Sequence, residues 1–258
     1  MSNDSLISYL TALADDEFIL GHRDSEWTGY APILEEDIAF SNIAQDEIGH
    51  ALALYELAQS LGGKHPDAMG FERPWKEFAC SRFVTYPKGD FAYTVVRQYL
   101  YDAAEQVRMK AHAASAFVPL RNLSEKILAE EAYHLMHSKG LVERLGNATE
   151  ESHRRMQAAV DTAFPQALGL FEPVQGTEKL VEAGVARPES ELMHAWLEAV
   201  VPTLESSGLQ SPVRIKGSTY ELSCKPGYGG RVGNHTEHLE QIVADLQHVY
   251  KMAPGGNW

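Results

Sequence analysis

The sequence predicts an all-α protein built around a four-helix bundle, in which two antiparallel hairpins are joined by one long crossover. Apolar residues recur at helical spacing along most of the 258 residues, and glycine and proline divide this pattern into long segments. Alternation typical of strands is confined to a short stretch over residues 212–222. We therefore expect packed helices to form the core.

A leucine stripe and a double-glycine stop predict the first hairpin. One helix should run from near Asp4 towards Trp27, with an apolar stripe of Leu6, Leu10, Leu13 and Leu20. After a break at residues 29–31, Pro32 is well placed as the first residue of a second helix of about 30 residues. Gly62 and Gly63 should stop this helix after Leu61.

The second hairpin is predicted to follow an irregular crossover. Residues 64–89 are interrupted by proline and glycine and show no regular period. Asp90 can cap a third helix that reaches about Phe117, and Pro119 separates it from a fourth helix that ends at Gly146.

The remainder of the chain should flank this bundle. Thr149 can cap the next helix, which Pro165 should kink. The predicted elements are a kinked helix over 149–171, a helix over 189–205, a β-hairpin over 212–222 and a last helix over 236–252. Because no Pro-, Gly- or Ser-rich linker separates these parts, we expect one domain over residues 1–258, with the bundle in 1–147 and the flanking elements in 148–258.

Composition limits the functional classes. Acidic residues number 36 against 22 basic ones, so no basic surface is expected for nucleic acid or anionic lipid. The sequence lacks a long apolar segment and a basic N-terminal start, which predicts a cytoplasmic protein without membrane association. The two cysteines, Cys80 and Cys224, are too few for a disulfide framework or a cysteine-based zinc site. Any metal should therefore be held by oxygen and nitrogen ligands.

The motif Glu-x-x-His is the informative feature, because residues three apart share one helix face and can present a carboxylate and an imidazole to the same metal. Chance would produce roughly one occurrence in a chain of this composition. This sequence contains four: Glu47/His50, Glu131/His134, Glu150/His153 and Glu191/His194.

Two of these pairs lie on stripes that their helices should bury. Glu47/His50 and Glu131/His134 are surrounded by apolar residues, and these stripes offer no matching lysine or arginine. A buried carboxylate is costly unless it is paired or coordinates a metal. Glu150/His153 and Glu191/His194 fall in the first turns of helices, where the helix dipole favours acidic residues, so a structural role explains them better than a metal site.

Hairpin geometry adds one carboxylate to each buried pair. Glu17 lies 30 residues before Glu47, and Asp102 lies 29 residues before Glu131. The midpoints of these two intervals, Pro32 and residues 116–117, coincide with the predicted helix breaks. In each antiparallel hairpin the two carboxylates should therefore stand at the same height, roughly 22 Å from the turn.

These six residues predict a site for two divalent cations. Four carboxylates supply the charge that balances two such ions, and each ion can take one histidine. The ligands would be Glu17, Glu47, His50, Asp102, Glu131 and His134. A buried polar network satisfied by water is the alternative, and Glu105, one turn from Asp102, could replace it as the ligand.

Neighbouring residues could tune this site. Asp46 and Glu130 each precede a ligand glutamate and could accept hydrogen bonds from the outer histidine nitrogens, although either could also be an ordinary exposed acid. His137 is more simply explained by packing or exposure. The cluster over 235–238 opens a helix, where capping explains Thr236.

The runs over residues 42–50 and 129–134 resemble the ferritin-like di-iron subunits of bacterial phenylacetyl-CoA epoxidase. Chain length, the stretches 21–27 and 143–147, and the ending from His235 to Trp258 are similar to the companion subunit rather than the catalytic one. The resemblance covers nearly the whole chain.

The resemblance implies a ferritin-like fold and a multicomponent monooxygenase that epoxidises the ring of an aromatic acyl-CoA. It implies two iron ions as cofactors, with manganese as the alternative, and a catalytic oxygenase subunit and a reductase as partners in a hetero-oligomer. Companion subunits are regarded as structural because their metal ligands are degraded. Here all six ligand positions of the catalytic subunit are filled, so this chain resembles a companion subunit that retains a metal site.

Three functions follow as hypotheses. The chain could be an oxygenase component whose two iron ions activate dioxygen. It could instead be a non-catalytic structural partner of the catalytic subunit. The same ligand set also serves ferroxidase, iron-storage and manganese-catalase chemistry, so a protein of that kind is the third hypothesis.

Overall fold

The computed structural model describes residues 3–217 and 219–253 and confirms the predicted all-α class. The α-helices are α1 (Asn3–Ser25), α2 (Leu34–Ser60), α3 (Arg82–Thr85), α4 (Phe91–His112), α5 (Val118–Ala148), α6 (Glu150–Ala167), α7 (Thr177–Glu182), α8 (Glu189–Ser206) and α9 (Glu237–Met252). An antiparallel hairpin of β1 (Val213–Lys216) and β2 (Thr219–Leu222) pairs Ile215 with Tyr220, as the sequence predicts.

The chain divides into two compact units. The first takes in the described residues of Met1–Pro87, Pro173–Lys179 and Gly229–Trp258, and the second comprises Lys88–Glu172 and Leu180–Tyr228. One domain over residues 1–258 stays a prediction. Residues 254–258, which belong to the ending that carries the family resemblance, lie outside the described part.

In the first unit, α1 and α2 form the predicted hairpin, and its turn includes Pro32. Helix α1 is buried on all sides over residues 12–21, because α2, α3 and α9 pack around it. Polar side chains in this segment therefore need partners or ligands within the protein.

The crossover of the first unit contains more regular structure than the sequence predicts. Its helical parts are a π-helical turn over Ala68–Glu72, a 3-10 turn over Trp75–Glu77 and α3. These segments are too short to show a hydrophobic period, so proline and glycine dominate the sequence signal. Thr236 precedes α9 as expected, but its side chain makes no capping hydrogen bond.

In the second unit, α4 and α5 form the other predicted hairpin, connected by residues 113–117. The side chain of Asp90 caps α4 by accepting a hydrogen bond of 2.9 Å from the Tyr93 amide. Thr149 caps α6 in a reciprocal arrangement with Ser152. Helix α6 continues through Pro165 to Ala167 and is followed by a 3-10 turn over Leu168–Phe171.

Trp196 of α8 anchors the flanking helices to the second hairpin. Its ring is fully buried and lies 5.1 Å from the ring of Phe164 and 5.4 Å from that of Phe171, between ring centroids. The indole N–H donates a hydrogen bond of 2.9 Å to the carbonyl of Leu100 in α4. This contact satisfies a buried carbonyl group and fixes α8 against α4.

Candidate metal centre

Glu17, Glu47 and His50 meet in the first unit and form what we call the Glu17 cluster. Their exposed fractions are 1%, 0% and 4%, so all three are buried. The Nδ1 atom of His50 lies 3.6 Å from Oε2 of Glu17 and 3.9 Å from Oε2 of Glu47. One ligand atom from each residue lies within 4.8 Å of those of the other two, a spacing that a single metal ion can bridge.

A glycine brings these residues together. A Cβ atom on Gly21 of α1 would lie 2.9 Å from the carbonyl oxygen of Ala44 and 3.1 Å from Cβ of Glu47. Only a residue without a side chain allows α1 and α2 to approach so closely. Glu17 is one turn away from Gly21 on α1, so this contact sets the spacing of the two glutamates.

Asp102, Glu131 and His134 form the Asp102 cluster in the second unit. All three have an exposed fraction of 0%. The Nδ1 atom of His134 lies 3.3 Å from Oε1 of Glu131, and ligand atoms of Asp102 and His134 lie within 4.8 Å of each other. Helix α4 supplies the aspartate, and α5 supplies the glutamate and the histidine.

Two hydrogen bonds hold the Asp102 carboxylate. The amide nitrogen of Gln98 donates to Oδ1 at 2.7 Å, and the hydroxyl of Ser138 donates to Oδ2 at 2.6 Å. Burial raises the pKa of Asp102 well above its usual range, and the nearby Glu131 carboxylate raises it further. His134 and the two hydrogen bonds lower this pKa and so act in the opposite direction.

The donor set of each cluster fits a metal ion. The distances of 3.3 to 3.9 Å between imidazole nitrogen and carboxylate oxygen are longer than those of strong charge-assisted hydrogen bonds. Buried carboxylates are costly without a positive charge, and a divalent cation bound by oxygen and nitrogen supplies it. Each group of buried carboxylates and imidazole could therefore hold a metal ion.

Glu105, the alternative ligand to Asp102, has a different neighbour. Its Oε1 atom lies 3.5 Å from Nε of Arg108, and both side chains are buried. Arg108 also donates hydrogen bonds to Glu189 at 2.8 Å and to the carbonyl of Leu170 at 3.0 Å. Glu105 thus contributes to a buried ionic network, and Asp102 remains the better candidate.

The predicted tuning residues differ in exposure. Asp46 is half-buried on α2, whereas Glu130 is exposed on α5. Their hydrogen bonds to the outer histidine nitrogens stay a prediction. His137 is half-buried and stacks on Tyr133 with 6.3 Å between ring centroids, and His235 bonds the carbonyl of Phe78 at 2.7 Å, so packing accounts for both.

The remaining two Glu-x-x-His pairs lie at the surface. Glu150 and Glu191 are exposed. Nδ1 of His153 bonds the carbonyl oxygen of Gly146 at 2.8 Å, whereas His194 is half-exposed and lies 3.5 Å from Glu198. These contacts agree with the structural role that the sequence predicts for both pairs.

Sequence reasoning missed the buried ionic contacts beside Glu17. Asp15 pairs with Arg73, and its carboxylate also accepts hydrogen bonds from Tyr55 and from the Ala79 amide. Asp16 pairs with Arg231 of the C-terminal segment. The only available signal was the presence of two further acids on a helix that is otherwise apolar around Glu17.

The family model that describes "Phenylacetic acid catabolic protein" matches residues 1–258. The chain belongs to this family. The resemblance inferred from the motifs is thereby confirmed, and the description of the family agrees with a role in phenylacetic acid catabolism.

Two curated relatives from Escherichia coli K12 are similar to this member of the phenylacetic acid catabolic family. The chain is 33% identical to the C subunit of 1,2-phenylacetyl-CoA epoxidase over 256 residues, which cover 99% of this chain and 100% of the relative. It is 25% identical to the A subunit of the same epoxidase over 213 residues, which cover 81% of this chain and 69% of the relative. The greater similarity to the first of these relatives agrees with the predicted resemblance to a companion subunit.

Among the described residues, no helix combines the length and the apolar character that crossing a bilayer requires.

Proposed function

We propose that this chain is a subunit of a phenylacetyl-CoA epoxidase and that each of its two clusters holds one metal ion. The family, the similarity to two epoxidase subunits and the buried carboxylate and imidazole groups support this proposal. The observation that carries the metal assignment is that both hairpins bury two carboxylates and one histidine at metal-ligand spacing. The ions would be iron, with manganese as the alternative.

The chain's own residues would bind and orient the ions. Nδ1 of His50 and of His134 faces the carboxylates of its own cluster, so each imidazole is already turned towards a cation position. The surrounding helices exclude water from these side chains. Bound iron ions would supply the activation of dioxygen for epoxidation of the aromatic acyl-CoA. A catalytic oxygenase subunit and a reductase would be the partners in a cytoplasmic hetero-oligomer.

The chain could also act as the structural partner of a catalytic subunit without turnover of its own. The higher identity to the C subunit of the epoxidase than to its A subunit supports this second candidate. Both relatives are named as epoxidase subunits, and neither is named as a ferritin or a catalase. The proposal therefore leaves out ferroxidase, iron storage and manganese-catalase chemistry.

Metal content of protein purified without chelator tests the assignment. The wild type should contain about two iron or manganese ions per chain, because four carboxylates balance the charge of two divalent ions. Glu47→Ala and His134→Ala should each lose about one ion, because each removes a ligand from one cluster. Circular dichroism should show that both variants keep their helices.

The matched control is Glu191→Ala, which removes the glutamate of an exposed Glu-x-x-His pair and should leave the metal content unchanged. Little metal in the wild type, with the same content in all variants, would overturn the metal assignment and leave the structural-partner function. Co-purification with a catalytic subunit, followed by an epoxidation assay with reductase, then separates the two functions.

A further inference from the structure

The two clusters are built on the same plan. In each hairpin the first helix supplies one carboxylate, Glu17 or Asp102, and the second helix supplies a Glu-x-x-His pair. Residues around them can therefore be compared position by position. The differences indicate whether the two clusters are equivalent as metal sites.

Four residues before the first-helix carboxylate, the hairpins carry Leu13 and Gln98. Four residues after the histidine, they carry Leu54 and Ser138. All four side chains are buried, with exposed fractions of 2% or less. The Asp102 hairpin thus has two hydrogen-bond donors where the Glu17 hairpin has two apolar side chains.

Both donors reach Asp102. Gln98 donates to one oxygen at 2.7 Å and Ser138 to the other at 2.6 Å, so neither rotation nor tilting of the carboxylate is possible without breaking a buried hydrogen bond. A carboxylate has about four lone-pair positions, so two remain for a metal ion. Aspartate also has one rotatable bond fewer than glutamate, which reduces its freedom further.

We infer that Gln98 and Ser138 are positioning residues that hold Asp102 ready for a metal ion and make the two clusters unequal metal sites. The inference rests on the proposed function. The Asp102 cluster is preorganised by polar support from both helices of its hairpin. At the equivalent positions of the Glu17 cluster, Leu13 and Leu54 cannot donate hydrogen bonds to its carboxylates.

Titration of the metal-free protein with Mn²⁺ tests the inference, with free Mn²⁺ measured by electron paramagnetic resonance. The wild type should bind two ions per chain. In Ser138→Ala and in Gln98→Leu, the affinity for one ion should fall about 10- to 100-fold, because partners of this kind contribute that much to metal binding. The affinity for the other ion should stay unchanged.

Ser124→Ala is the matched control. Ser124 lies on the same helix as Ser138 and is equally buried, but its hydroxyl donates to the backbone carbonyl of Leu120 at 2.8 Å. Both ions should bind to this variant as to the wild type. Ser138→Thr keeps the hydroxyl group and should restore most of the affinity, which a loss of packing alone does not predict.

The outcomes separate the inference from the proposed function. If the wild type binds two ions and both donor variants bind them equally well, the positioning role is wrong and the metal sites stand. Equal weakening of both ions would also overturn it, because the effect would not be specific to the Asp102 cluster. A wild type that binds no Mn²⁺ and no iron would overturn the metal assignment together with the inference.

Discussion

Arg231 Nη2 donates a hydrogen bond of 2.5 Å to Oδ2 of Asp16, although 215 residues separate the two in the sequence. The side chains of both residues are only 2% exposed. Arg231 Nη1 also donates to the backbone carbonyls of Ala12 and Ala79, at 3.0 Å each. The C-terminal segment of the first unit is thereby attached to α1 one residue away from Glu17.

Replacement of this arginine should destabilise the protein strongly. Arg231→Met leaves the Asp16 carboxylate buried without its cation, so the free energy of unfolding should fall by about 3–5 kcal/mol. Urea denaturation at neutral pH measures this change. The control is Lys216→Met, which removes an exposed pair with Glu221 and should cost less than about 1 kcal/mol. Similar losses in the two variants would contradict the prediction.

Gly21→Ala should push α1 away from α2. The new Cβ would lie 2.9 Å from the carbonyl oxygen of Ala44, a backbone atom that moves only with its helix. We expect a loss of about 1–3 kcal/mol in unfolding free energy. Gly49→Ala is the control, because Gly49 has no atom within 4 Å of the added group and its helix should gain up to about 1 kcal/mol. A stable Gly21→Ala variant would refute the close-approach argument.

His112 should make the protein sensitive to acid. Burial lowers its pKa to about 3, with the positive charge of Arg108 as a second cause. Between pH 6.5 and 3 the unfolded chain binds this proton and the folded chain does not, so stability falls as pH falls, by about 1.4 kcal/mol per pH unit. From pH 7 to pH 5 the contribution of this residue is therefore about 2 kcal/mol.

Denaturation of His112→Gln at both pH values tests this prediction. The difference in unfolding free energy between the two pH values should shrink by about 2 kcal/mol relative to the wild type. His194→Gln, at a half-exposed position, should keep the difference of the wild type. An unchanged difference in His112→Gln would show that the histidine is protonated in the folded protein.

Asp102→Asn and Glu105→Gln should separate metal binding from stability. Asp102→Asn should lose about one metal ion per chain, because it removes a proposed ligand. Glu105→Gln should keep both ions but lose about 1–3 kcal/mol of unfolding free energy, because it removes a charge from the buried network with Arg108. Elemental analysis and urea denaturation of both variants measure the two effects. The reverse pattern would move the ligand assignment to Glu105.

The long helices and their turns could be predicted from the sequence because their signals are local. Hydrophobic periodicity, the Asp90 and Thr149 caps and the breaks near Pro32 and residue 117 all act over a few residues. The six candidate ligands followed from the same local patterns, since two Glu-x-x-His pairs lay on apolar stripes. The short helical segments of the crossover were missed because they contain less than two turns of the pattern.

Local patterns alone therefore determine where the helices run and which faces they bury, but not which charges meet on those faces. Only the packed structure assigns Glu105 to Arg108, Asp16 to Arg231, and Gln98 and Ser138 to Asp102. Periodicity shows that a polar side chain is turned inward, whereas its partner depends on helix separation and on contacts between distant residues. The close approach at Gly21 is of this kind, because it requires both helices to be in place.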